Sequence, residues 1–206
     1  MPAYTRSIQQ SMNIIYLQDA DSGKSQWIVY PNSRRLPDSF RQHANLGANP
    51  VKVFPWLNER GFSADAPRLD LPAPELKITL SAEYGRNRVY RARMFSRRGA
   101  AKEYLLFPPS EPVEAVYIEG KSVPPISNMI LHYTNGWHIY DLVDLPPESV
   151  EIQFTIPGIL PPQIYVMDKS YGLPPEASAL LKDRPAEATA IHDGDGTIVM
   201  RRVHLP

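Results

Sequence analysis

Proline limits how this chain can fold more than any other residue, because 22 of its 206 residues are proline and only 11 are glycine. That is about twice the usual proline share of roughly 5%. A proline inside a helix removes a hydrogen bond and clashes with the preceding turn, so long helices are excluded. Disordered chains are also rich in proline, but they are poor in aromatic residues, which make up 10% of this chain. We therefore expect a folded protein built from short segments.

Runs of β-branched and aromatic residues alternate with turn residues, at the spacing of roughly 8–12 residues that is typical of sandwiches. One helix is expected near 175–182, because proline is tolerated in the first turn of a helix. The sequence therefore predicts an all-β fold, a β-sandwich or jelly roll with about ten short strands and one short C-terminal helix. The predicted strands are 11–18, 25–30, 75–82, 88–96, 103–107, 113–119, 129–134, 137–143, 150–156, 163–167 and 197–205.

Residues 31–72 differ from the rest, because they hold six prolines and no sustained hydrophobic period. We expect a long irregular arm there, with a short helix near 38–43 and a turn near 55–59. The arm would wrap around the rest of the molecule or cross between two sheets. In this interpretation residues 1–73 form a hairpin plus the wrapping segment, residues 74–206 form the sandwich core, and both belong to one domain.

The charge balance and the absence of cysteine exclude several classes of function. Lys plus Arg and Asp plus Glu each number 22, so the formal net charge is zero. Proteins that bind nucleic acids by neutralising phosphates normally carry a basic excess, so we expect no nucleic-acid partner. The chain has no cysteine, which excludes disulfides, zinc ribbons and cysteine nucleophiles.

Two acidic loops resemble metal sites at first inspection. Residues 19–23 follow the opening Asp-x-Asp-x-Gly pattern of a calcium loop, but the sixth position is Lys24 and the twelfth is Tyr30. An EF-hand requires glycine and a bidentate glutamate at those positions. Residues 193–196 place Asp193 and Asp195 two apart, with only His192 nearby as a third ligand. Both loops are therefore predicted to be turns, which Asp and Gly favour.

The histidines and the common nucleotide and hydrolase motifs offer no catalytic assignment. His132 and His138 flank the Asn135-Gly136 turn, and in a two-residue hairpin they point to opposite faces. The chain lacks HExxH, GxSxG, GxGxxG and P-loop patterns. We therefore assign no catalytic residue, no metal ligand and no cofactor to this chain.

Two groups of residues are candidates for a ligand or partner surface. Six arginines lie within residues 86–98, and on a strand Arg91 and Arg93 share one face while Arg88 lies on the other. They could contact anionic lipid headgroups or an acidic polymer, or simply cover apolar neighbours with their alkyl stems. The second group comprises aromatic residues that could stack on sugars or be buried in the core. These are Trp27, Trp137 and Tyr171.

Motifs near both ends carry a resemblance to a known family. The first group is Asn13, Tyr16, Asp19, Asp21, Gly23 and Trp27; the second is Asp168, Ser170, Tyr171, Gly172, Arg184, Gly194, Asp195, Thr197 and Arg201. Together they resemble the C-terminal, non-catalytic domain of bacterial membrane-bound zinc metallopeptidases. This is the branch of peptidase family twenty-eight that is related to endoplasmic-reticulum metallopeptidase.

The resemblance implies an accessory role on the periplasmic side of the inner membrane. In that branch a di-zinc exopeptidase domain precedes transmembrane helices, and an all-β soluble domain follows them. The family's zinc ligands lie in the catalytic domain, so none is carried over to this chain, and zinc is expected in that other domain. The implied partner is the catalytic domain of the same polypeptide, and the membrane surface would be near.

Three functions remain open from the sequence. The leading one is a non-catalytic domain of a zinc-dependent aminopeptidase-like protein that packs on, regulates or presents substrate to the catalytic domain. The alternative is a carbohydrate-binding or other ligand-binding β-sandwich module. The third is an enzyme whose site is built from scattered Asp and His residues.

Overall fold

The computed structural model describes residues 9–31, 36–126, 134–143, 145–146, 148–158 and 162–206. Strands make up 49% of it and helices 8%, and the strands form two sheets. The predicted all-β sandwich is therefore confirmed. The division between strand and helix follows from the proline spacing, which leaves room for strands of up to ten residues but not for long helices.

Thirteen strands and two short α-helices lie in the described residues. The strands are β1 (Gln10–Asp19), β2 (Ser25–Pro31), β3 (Phe62–Asp65), β4 (Glu75–Tyr84), β5 (Asn87–Phe95), β6 (Lys102–Phe107), β7 (Ala115–Ile118), β8 (Lys121–Ser122), β9 (His138–Val143), β10 (Val150–Pro157), β11 (Gln163–Tyr171), β12 (Ala188–Thr189) and β13 (Gly196–His204). The helices are α1 (Asp38–His43) and α2 (Ser178–Asp183), and a 3-10 turn at Pro175–Ala177 precedes α2.

The chain divides into two compact units, and the division falls within β11 and β13. The first unit comprises the described residues of Met1–Phe54, Glu59–Leu69 and Ser170–Ile198, and the second comprises Pro55–Asn58, Asp70–Lys169 and Val199–Pro206. In the first unit β1 pairs antiparallel with β2, and β2 pairs antiparallel with β3. The short strand β12 lies parallel to the start of β1.

The second unit contains the larger hydrophobic core. Strands β11, β6 and β9 pair antiparallel in that order, and a five-stranded sheet has the order β4-β5-β10-β7-β8. Strand β10 alternates buried Val150, Ile152, Phe154 and Ile156 with more exposed residues, as expected of a strand with one face on a core. Side chains from both groups of strands form one buried cluster, including Tyr90, Leu105, Phe107, Tyr140 and Phe154.

Most predicted strands are present with ends shifted by one to four residues, but the prediction for residues 31–72 was partly wrong. The expected helix is α1. The arm also contains β3, whose pairing with Gln26–Val29 of β2 gives strand geometry to four residues that show no pattern of their own. Strand β12 was likewise missed, and the total of about ten strands was too low. The strand predicted at 129–134 lies, except for Thr134, outside the described residues.

Candidate functional site

The loop at 19–23 is a hairpin turn closed by its own side chains. Asp19 Oδ1 accepts a hydrogen bond from the backbone N–H of Asp21 at 3.0 Å, and the Ser22 hydroxyl donates to Asp19 Oδ2 at 2.7 Å. Gly23 has a φ of 70°, a conformation that favours glycine. The prediction of a turn here is confirmed. Both Asp19 oxygens accept hydrogen bonds from within the loop, which stabilises the turn.

Asp195 lies at the centre of a polar network in the first unit. Both of its carboxylate oxygens accept hydrogen bonds from Arg184 Nη2, at 2.6 and 2.7 Å. Oδ1 also accepts a hydrogen bond from the backbone N–H of Ile14 at 2.9 Å. Both charged side chains are only 14% exposed. The carboxylate therefore joins strand β1 to the segment after α2, in surroundings where an ion pair is screened less than at the surface.

Further motif residues extend this network with backbone contacts. The backbone N–H of Gly172 donates to the Asp195 carbonyl at 2.9 Å, and the Thr197 hydroxyl donates to the Gly172 carbonyl at 2.9 Å. Asn13 Oδ1 accepts the backbone N–H of Ile191 at 2.9 Å. We call Asn13, Gly172, Arg184, Asp195 and Thr197 the motif network. It connects residues more than 150 positions apart in sequence, namely those near both ends of the chain.

Tyr16 and Trp27 form a second set of tertiary contacts in the first unit. They are opposite each other on β1 and β2, and their rings meet edge to face with centroids 5.2 Å apart. The buried Tyr16 hydroxyl donates to the Pro67 carbonyl at 2.9 Å and accepts the backbone N–H of Leu69 at 3.2 Å. Tyr16 therefore holds part of the irregular arm against the hairpin. Trp27 is buried beside it, and its indole packs in the interior rather than forming a surface for a sugar.

The second unit contains a fully buried carboxylate that is compensated on both oxygens. Arg98 Nη2 lies 2.5 Å from Asp168 Oδ1, and the Ser96 hydroxyl donates to Asp168 Oδ2 at 2.6 Å. The Ser96 Oγ also accepts the backbone N–H groups of Arg98 and Ala100. These contacts fold the loop between β5 and β6 so that a cation faces Asp168, as a buried charge requires.

Glu103 is the cross-strand neighbour of Asp168 and has a different environment. The two residues are opposite each other on β6 and β11. The pKa of Glu103 is raised to about 7, chiefly by burial; the backbone N–H of Ser96 opposes this by hydrogen bonding, and the Asp168 charge adds to it. Within the described part of the chain, Glu103 Oε2 is buried without a hydrogen-bond partner. With its pKa raised to about 7, Glu103 is partly protonated near neutral pH.

The sequence reasoning missed Glu103 and Ser96. Arg98 stood out only as one of six arginines, and Asp168 only as part of a motif. A signal for Glu103 existed, because it directly precedes the apolar run of β6 and lies in a strand that is otherwise largely buried. Its cross-strand pairing with Asp168 depends on the sheet register, which no local pattern indicates.

Trp137 and Tyr171 are in contrasting environments. Trp137 is buried in an aromatic cluster of the second unit, with ring centroids 5.4 Å from both Trp56 and Tyr165. Arg202 lies over the Tyr165 ring, with its guanidinium carbon 5.5 Å from the centroid. Tyr171, at the end of β11 in the first unit, is 59% exposed. Of the three aromatic candidates, Tyr171 alone has the exposure that a stacking surface needs.

Arg91 and Arg93 both lie exposed on the solvent face of β5, whereas Tyr90, Ala92 and Met94 are buried on the other face. The predicted sharing of one face by the two arginines is confirmed. Arg91 Nε donates to Gln153 Oε1 at 3.1 Å. These residues lie in the second unit, whereas Trp27 and Tyr171 lie in the first.

Metal ligands do not converge in the parts of the chain that the structure describes. No group of three or more His, Asp or Glu side chains there could hold a metal ion. His132 lies outside the described residues, so its predicted orientation relative to His138 stays a prediction. No helix among the described residues is long and apolar enough to cross a membrane.

Comparison with known proteins adds no family assignment. Neither the protein-family profiles nor the curated proteins with which the chain was compared give a match.

Proposed function

We propose that this chain is a non-catalytic accessory domain of a membrane-bound, zinc-dependent aminopeptidase-like protein. In this role it packs on or regulates the catalytic domain of the same polypeptide, or presents substrate to it. One observation carries the proposal. Several of the residues by which the sequence resembles that family make tertiary contacts within the fold, as expected if they define a structural domain rather than an active site. They include Asn13, Tyr16, Asp168, Arg184 and Asp195.

The motif network supplies this observation in the first unit. Asn13 comes from the N-terminal motif, whereas Gly172, Arg184, Asp195 and Thr197 come from the C-terminal one. Their side chains or backbones hydrogen-bond across the fold. Residues from motifs that are distant in sequence therefore take part in tertiary contacts of the same unit, which supports a structural role for them.

Three charged members of the motifs, Asp168, Arg184 and Asp195, have partners within the fold. Arg184 and Asp195 bind each other, and Asp168 binds Arg98 and Ser96. A catalytic carboxylate needs access to a substrate or a metal, and Asp168 is fully buried. Burial and pairing support a structural role for these two carboxylates. Our proposal assigns hydrolysis to a separate domain that holds the zinc.

The proposal includes a location, on the periplasmic or extracytoplasmic side of the membrane. Its basis is the domain order of the resembled family. The carbohydrate-binding alternative has weaker support, because two of its three candidate aromatic residues, Trp27 and Trp137, are buried.

Two measurements test the proposal. The first is hydrolysis of aminoacyl p-nitroanilides by the 206-residue chain, with added zinc and with a chelator; we expect no turnover in either case. Asp195→Ala serves as a matched variant for any trace activity, since a contaminant would be unaffected by it. Zinc-dependent turnover that co-purifies with the chain would refute a non-catalytic role.

The second measurement is the sequence of the reading frame that encodes the chain. We expect a di-zinc exopeptidase domain and membrane-spanning segments upstream of the first residue. A native start codon with no preceding domain would contradict the proposal. A response of tryptophan fluorescence or of a glycan array to sugars would instead favour the ligand-binding alternative.

A further inference from the structure

The β4–β5 hairpin of the second unit has a solvent face that carries both cations and exposed apolar side chains. Leu80 is 47% exposed and Tyr84 is 69% exposed. Lys77, Arg91 and Arg93 are also exposed on this hairpin. We call these five residues the outer hairpin face.

The sheet register places the five residues on one side. Lys77 is opposite Arg93, and Leu80 is opposite Arg91. Cross-strand partners point to the same face of a sheet, and alternate residues along a strand share that face. Tyr84 lies four positions after Leu80 and is opposite Asn87, so it belongs to the same side. The buried neighbours Tyr90 and Ala92 define the opposite, core-facing side.

The cations of this face are poorly compensated by the protein itself. Arg91 bonds the neutral amide of Gln153. Among the described residues, neither Lys77 nor Arg93 forms an ion pair, although Glu151 of β10 is opposite Arg93 in the register. The hairpin's own acids are paired elsewhere, Glu83 with Arg88 and Glu75 with Arg97. The face therefore carries a local positive charge on a chain whose net charge is zero.

A register shift between Ile78 and Leu80 interrupts the free edge of the hairpin. Strand β4 is the outermost strand of its sheet, so an extended peptide could in principle pair with it. A β-bulge and a charged residue such as Lys77 are the features that prevent such pairing at edge strands. The ligand is therefore expected to meet the exposed side chains of the face rather than the backbone edge.

We propose that the outer hairpin face docks on an anionic lipid surface. Basic side chains are attracted to anionic headgroups, and their alkyl stems lie along the apolar boundary while the charged ends stay hydrated. Tyrosine, with an apolar ring and a polar hydroxyl, suits the same boundary. The solvent face of these two strands offers three cations, exposed Leu80 opposite Arg91, and exposed Tyr84 at the turn end of the hairpin to a negatively charged layer of this kind.

Vesicle sedimentation tests the proposal with the full chain. The probes are vesicles of about one-third phosphatidylserine in phosphatidylcholine, and pure phosphatidylcholine vesicles as the neutral control. We expect binding to the anionic vesicles that weakens with added salt. Arg91→Gln with Arg93→Gln lowers the partition coefficient about 30-fold. Leu80→Ser with Tyr84→Ser weakens binding at unchanged charge.

The matched control is Lys121→Gln with Lys182→Gln, which removes the same charge at two exposed positions that are not among the five residues of this face. Urea unfolding of each variant identifies any loss of structure. Equal losses in the control and the arginine variant, or equal binding to both kinds of vesicle, would overturn the proposal. So would an absence of vesicle binding accompanied by retention on heparin, which would indicate a soluble acidic partner. None of these results bears on hydrolysis or on the reading frame, so failure here leaves the proposed function standing.

Discussion

Glu103→Gln is expected to stabilise the protein above neutral pH and to have little effect on stability in acid. The carboxyl group is buried, its Oε2 has no partner among the described residues, and Asp168 is opposite it. Gln keeps a carbonyl that can accept the Ser96 N–H but carries no charge. The substitution therefore removes the cost of ionising a carboxyl group in this place, while the shape of the side chain is preserved.

The magnitude follows from the raised pKa, from 4.5 to about 7 in the folded protein. Below the unfolded value both states hold the proton, so Glu103 contributes no pH dependence. Between the two values the folded state alone keeps the proton, and the free energy of unfolding falls as pH rises. One pKa unit corresponds to 1.36 kcal/mol, so the total loss is about 3 kcal/mol and is complete above about pH 7.

The assay is urea unfolding of wild type and Glu103→Gln, followed by tryptophan fluorescence from about pH 4 to about pH 9. The difference between the two proteins cancels the titration of histidines common to both. We expect it to grow from near zero to about 3 kcal/mol in favour of the variant. Glu151→Gln, on the exposed face of β10, is the control and should show no such trend. A difference independent of pH, or a variant less stable than wild type above pH 7, would refute the reasoning.

Two further substitutions test the tertiary contacts of Asp195 and Tyr16 in the first unit. Asp195→Ala leaves Arg184 unpaired and the Ile14 N–H without its acceptor. We therefore expect a loss of about 3 kcal/mol in the free energy of unfolding. The control is Asp65→Ala at an exposed position, and equal effects of the two substitutions would contradict the role given to Asp195. Tyr16→Phe removes the hydroxyl that binds Pro67 and Leu69 and should cost about 1–2 kcal/mol and speed proteolysis of the arm; unchanged proteolysis would show that other contacts hold the arm.

The sequence predicted the all-β class and the regular strands because their signals are local. The pair β1 and β2 illustrates this, since a hydrophobic run, an Asp/Gly turn and a second run specify a hairpin within twenty residues. Strand β3 has no such signal, because its four residues become a strand only through pairing with β2. The sequence of the arm shows no sustained hydrophobic period, although its residues Leu36, Phe40 and Phe62 are buried. Prolines hide the period of such a segment without preventing its burial.

The candidate surface residues were predictable only in part, because burial depends on neighbours that are distant in sequence. Alternation along a strand predicts that Arg91 and Arg93 share one face, and the burial pattern of β5 confirms this. Whether an aromatic residue is buried depends on the neighbours that the fold brings to it. Trp137 is enclosed by Trp56 and Tyr165, which lie 81 and 28 positions away in sequence. The same is true of Glu103, whose pKa is raised mainly by burial and further by its cross-strand partner Asp168.

Fold and partner binding should respond to different substitutions in this protein. The motif network holds the first unit together with side chains that already have partners, so its variants are expected to lower stability. The outer hairpin face has cations and apolar groups that the fold uses little, so Arg91→Gln with Arg93→Gln should weaken vesicle binding without changing the midpoint of urea unfolding. Asp195→Ala should shift that midpoint, while the folded fraction that remains still binds vesicles with wild-type affinity. If the arginine variant unfolded as readily as Asp195→Ala, the outer hairpin face would be part of the scaffold, and its exposure would carry no functional meaning.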